Sequence, residues 1–105
     1  MHDIQPFYYE VASNVARVCY ETLAVNGGFM ELQELLTAVL KYRKQRNSKS
    51  VPVSEEDIIL SVKQLEKLGK GFRIVEMPPP NRKRYVHGCG RQVSFVITTL
   101  DVIIH

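Results

Sequence analysis

At 105 residues, the chain has room for one core, and a fold of this size buries roughly 60 to 70 % of its unfolded surface. Its 45 % hydrophobic and 24 % charged residues are ordinary for a water-soluble domain, and no apolar run approaches the roughly 20 residues of a membrane-spanning helix. Lys and Arg number 14 against 11 Asp and Glu, a formal charge of +3, which permits a polyanion partner without demanding one.

The opening MHDIQPFYYE lacks the basic start and apolar centre of a secretory signal, so a cytosolic location is expected. Cys19 and Cys89 form no spacing framework, in keeping with a reducing compartment and no disulfide. From Phe7 to Val25, the residues Phe7, Val11, Val15, Val18, Thr22 and Val25 recur at three- and four-residue spacing, which predicts an amphipathic helix. Asn26-Gly27-Gly28 stops it.

After a short extended Phe29-Met30, a second helical stripe runs through Leu32, Leu35, Leu36, Val39 and Leu40 and gives way to a solvated loop in KYRKQRNSKS. Ser54 followed by Asp57 is a capping-box spacing, and Ile58, Val62, Leu65 and Leu68 form the core stripe of a third helix. Phe72 to Glu76 reads as a strand. Pro78-Pro79-Pro80-Asn81 turns the chain into a second strand at Arg84 to His87, with Arg82, Lys83 and Arg84 at the hairpin tip. The terminal VSFVITTLDVIIH, dense in β-branched residues, predicts a further strand.

The order helix, short strand, helix, helix, hairpin is that of a winged helix, an α+β fold with three helices and a β-hairpin wing, here carrying an extra C-terminal strand. One domain over residues 1–105 is expected, with its core at about 7–88. Because the chain ends while still apolar, it reads as a fragment of a longer protein.

A winged helix often lays its third helix in the DNA major groove. The outward stripe of that helix is Glu56, Leu60, Lys63 and Lys67, behind a first turn of Glu55, Glu56 and Asp57. Carboxylates suit the positive end of the helix dipole but repel phosphate. No specific nucleic acid is therefore expected, although a DNA- or RNA-binding winged helix is the alternative reading.

The basic residues Lys41, Arg43, Lys44 and Arg46 of the loop and Arg82, Lys83 and Arg84 of the wing are candidates for contact with an acidic membrane, if the two clusters converge. His87 and Cys89 stand two apart, yet no Asp, Glu, His or Cys set around them completes a metal site or a catalytic group. Gly69-Lys70-Gly71 follows a helix instead of preceding one, the reverse of a phosphate loop. Neither an enzyme, a cofactor nor a small-molecule substrate is expected.

Tyr9, Ser13, Ala16 and Tyr20 form a second stripe on helix one. Tyr9 and Tyr20, with Leu60 on helix three, are the candidate contacts for a protein partner.

Phe7 to Glu10, Asn26 to Gly28, Ser54 to Asp57 and Leu68 to Phe72 together resemble one family. It is the SNF-type (EAP30/Vps22-like) subunit of the ESCRT-II endosomal sorting complex, and the likeness is to its first winged-helix domain over about residues 7 to 77. The loop from Arg46 to Val53, the turn from Pro78 to Lys83 and the stretch after Gly88 depart from the family's pattern. The resemblance implies a non-catalytic scaffold that sorts ubiquitinated membrane cargo into multivesicular bodies. It also implies other ESCRT-II subunits as partners and a cytoplasmic protein recruited to the endosomal membrane.

Overall fold

The computed structural model describes residues 6–49, 51–68 and 72–88. Helix α1 spans Pro6–Asn26, strand β1 Phe29–Glu31, helix α2 Leu32–Arg46, helix α3 Glu55–Leu68, and strands β2 and β3 Phe72–Glu76 and Arg84–Gly88. Three helices and an antiparallel sheet ordered β1-β3-β2 make a winged helix. The expected C-terminal strand lies outside the described residues, as do Cys89 and Gly69-Lys70-Gly71.

α1 packs against both α2 and α3. A helix held from two sides buries a wider arc than one stripe, and Val11, Ala12, Val15, Ala16, Val18 and Cys19 are all buried. This overturns two readings of helix one. Ala16, expected on the outer stripe, is fully enclosed, and Val25, expected on the core stripe, is 88 % exposed in the last turn, beside the Asn26-Gly27-Gly28 stop. Thr22 is half-buried, its hydroxyl donating to the Val18 carbonyl of its own helix at 2.9 Å.

The second core stripe extends further than expected. Leu32, Leu35 and Val39 are buried, while Leu40 is exposed. Helix α2 then runs on through KYRKQR instead of yielding to a loop, because the next inward position after Val39 is Arg43, whose side chain is itself buried. The backbone N–H of Asn47 donates to the Arg43 carbonyl at 2.9 Å and closes the helix. Val53 returns the connecting segment to the core. On α3, Ile58, Val62 and Leu65 are fully buried, each contributing about 1.5–3 kcal/mol by removal from water.

The short extended Phe29-Met30 falls within strand β1, and its partner is the part that local spacing leaves unread. Phe29 pairs with His87, Met30 with Val86 and Glu31 with Tyr85, so the two-stranded wing becomes a three-stranded sheet. Alternation places Phe72, Ile74, Met30 and Val86 on the face toward the helices, with Phe72 and Val86 buried. The opposite face carries Phe29 stacked on Tyr85, ring centroids 4.7 Å apart, beside His87.

The stop between α1 and β1 is tied directly to the end of β3. The Gly88 N–H donates to the Gly28 carbonyl at 2.7 Å, and the Asn26 side chain accepts from the Gly28 N–H. Gly27 and Gly28 have φ of 66° and 82°, a region that costs an L-residue about 1–2 kcal/mol. A β-carbon on Gly28 would also overlap the Gly88 carbonyl oxygen, whereas one on Gly27 would meet open space. Gly28→Ala is therefore expected to cost about 3 kcal/mol or more and Gly27→Ala about 1 kcal/mol, read as shifts of the urea midpoint.

Burial in α1 pushes the Cys19 thiol up to about 12. In the unfolded chain a thiol titrates near pH 8.5, so the folded state holds a proton that the unfolded state gives up. Stability linked to this group is complete below about pH 8.5 and is lost as pH rises toward 12. Urea unfolding at a series of pH values from 8 upward is expected to show this decline, with a shallower slope in Cys19→Ala.

Candidate functional site

The third helix is fastened at its acidic end. Ser54 and Asp57 form the capping box that their spacing predicts: the Ser54 N–H donates to Asp57 Oδ2 at 3.0 Å, and the Asp57 N–H to Ser54 Oγ at 3.2 Å. The Tyr8 hydroxyl of α1 donates to Asp57 Oδ1 at 3.2 Å, and partial burial together with the Asp57 carboxylate raises the Tyr8 phenol above its ordinary range. Glu55 receives Arg84 of β3, Nη2 to Oε1 at 2.5 Å, and also the side-chain amide of Gln33 on α2. Thus α1, α2 and the wing all meet the first turn of α3.

This arrangement gives the acidic residues an internal role. Glu55 and Asp57 satisfy groups of the same fold, and the exposed Glu56 faces solvent. The outward stripe of Glu56, Leu60, Lys63 and Lys67 is exposed as expected. A duplex approaching α3 would meet Glu56 at the helix end that usually leads into the groove.

The basic residues do not form one surface. Glu31 at the start of α2 lies 3.6 Å from Lys83, and Gln33 in its first turn reaches the Glu55 that holds Arg84. The wing cations therefore sit beside the N-terminal end of α2, whereas Arg43, Lys44 and Arg46 occupy its last turn. The helix between them is about 20 Å long at its usual rise per residue.

Their individual environments separate them further. Arg43, expected to touch an acidic surface, is only 5 % exposed, which removes it from any such contact. Its Nη1 donates to Glu10 Oε1 at 2.9 Å and Asn14 Oδ1 at 2.8 Å, its Nη2 donates to the Val51 carbonyl at 3.2 Å, and the guanidinium lies over the Phe7 ring. Arg43 is thus a tie between α1, α2 and the segment leading to α3. Arg46 lies over the Tyr42 ring. Lys41, Lys44 and Arg82 stand exposed.

Of the candidate partner contacts, Tyr20 is 50 % and Leu60 37 % exposed, while Tyr9 packs against the core. The stripe on α1 is therefore narrower than its spacing implies, with Tyr20 its open aromatic. Sequence reasoning missed the outer sheet face, where Phe29, Tyr85, Val75 and His87 lie half-buried. The signal was the alternation within β2 and β3, which becomes a shared face only once β1 is known to pair with β3. Among the described residues, no group of three or more His, Cys, Asp or Glu is placed to hold a metal ion. None of the described helices is long and apolar enough to cross a membrane.

The family model described as EAP30/Vps36 family matches residues 2–101. The chain belongs to the EAP30/Vps36 family. The match runs on past Gly88, beyond the point where the motif resemblance stops. The human vacuolar-sorting protein SNF8 is 37 % identical over 75 residues, covering 71 % of this chain and 28 % of its own length. The Arabidopsis thaliana vacuolar protein sorting-associated protein 22 homolog 1 is 35 % identical over 72 residues, covering 69 % and 28 %. Xenopus tropicalis SNF8 is 39 % identical over 75 residues, covering 71 % and 28 %. The chain thus spans little more than a quarter of the length of the curated relatives it matches.

For this member of the EAP30/Vps36 family, Arg43→Met is expected to lower stability by about 1–3 kcal/mol, since it strands Asn14 and the Val51 carbonyl. Lys44→Met, on the exposed side of the same turn, is expected to stay within about 0.5 kcal/mol. Denaturant midpoints of the two variants against the unaltered chain check the contrast.

Proposed function

We propose that this chain is a non-catalytic protein-interaction module of an ESCRT-II-type assembly, one that sorts ubiquitinated membrane cargo into multivesicular bodies. Membership of the EAP30/Vps36 family, together with relatives named for vacuolar sorting, supports this reading. The observation that carries it within the fold is the fastened start of α3. Glu55 and Asp57 are held by Arg84, Gln33, Tyr8 and Ser54, so the first turn of the helix that would read DNA in other winged helices is engaged within the fold. One winged-helix unit over about residues 7–88 acts through its surfaces.

The partners are other subunits of the assembly. Tyr20 and Leu60 are the contacts to test, because both are exposed apolar side chains on helix faces and Tyr is favoured at interfaces for its large apolar area and polar tip. The protein works in the cytoplasm and is recruited to the endosomal membrane. Contact with anionic lipid, where it occurs, falls to the exposed Lys41, Lys44 and Arg46 at the end of α2, each contributing about 1 kcal/mol near such a surface. Arg82 of the wing makes its own contact at the other end of that helix.

The test is affinity purification of the tagged chain from cells, with ESCRT-II subunits detected by mass spectrometry. A Tyr20→Asp, Leu60→Asp double variant is expected to keep the helical circular-dichroism spectrum and to lose at least tenfold in recovered subunits. Equal recovery with both proteins would remove these two side chains from the interface. Failure of the unaltered chain to recover any ESCRT-II subunit would count against the assembly itself.

A further inference from the structure

We draw no further inference here: the strongest candidate, the outer face of the three-stranded sheet where Phe29 stacks on Tyr85 beside His87 and Val75, is a half-buried apolar surface for which nothing among the described residues shows what covers it.

Discussion

The first turn of α3 is the junction on which the rest of the structure depends. A helix start leaves backbone N–H groups without partners and carries the positive end of the dipole, so carboxylates settle there. In this fold those carboxylates have a second use. Asp57 caps its own helix and accepts from Tyr8 of α1, and Glu55 accepts from Arg84 of the wing and Gln33 of α2. One turn of helix thereby orients the other two helices and the hairpin. Individual exposed pairs of this kind contribute less than about 1 kcal/mol, so the buried side chains of the three helices supply the stability and the junction supplies the geometry.

A second tie, at the other end of α2, has different energetics. Arg43 is buried, and its guanidinium donates to Glu10, Asn14 and the Val51 carbonyl. A buried cation is costly unless its donors are satisfied. Here the half-exposed Glu10 carboxylate lies 2.9 Å away, and two neutral acceptors complete most of the fork. The consequence for function is a smaller cationic surface than the composition implies. Arg43 is enclosed, Arg84 and Lys83 face carboxylates, and the exposed Lys41, Lys44 and Arg46 lie at the opposite end of α2 from Arg82, with Lys63 and Lys67 exposed separately on α3. The loop and wing cations therefore do not join into one continuous track for a phosphate-rich ligand.

Much of this fold was legible in local spacing. The stripes Val11-Val15-Val18, Leu32-Leu35-Val39 and Ile58-Val62-Leu65 recur at the helical period, and the capping box and the Asn26-Gly27-Gly28 stop mark helix ends chemically. What escaped depends on neighbours far along the chain. Ala16 looks surface-tolerant until α1 is found between two helices. Arg43 looks like a solvated cation until Glu10 and Asn14 face it. The short strand at Phe29-Met30 was legible, but its pairing with β3, which makes a third strand of the sheet, was not. The candidate contacts divide on the same ground. Tyr20 and Leu60 are open, whereas Tyr9 lies against a core that helical spacing alone does not reveal.

The proposal is that α3, whose first turn is engaged in contacts within the fold, does not read a DNA groove in this member of the EAP30/Vps36 family. An amide NMR titration with a mixed-sequence DNA duplex at low salt tests it most directly, because each residue of α3 reports separately. The amides of Glu55 to Lys67 are expected to keep their positions, with any small displacements confined to the basic end of α2 and the wing. Saturable displacements concentrated on Glu56, Leu60, Lys63 and Lys67, abolished by salt, would contradict it and make the fold a nucleic-acid reader after all.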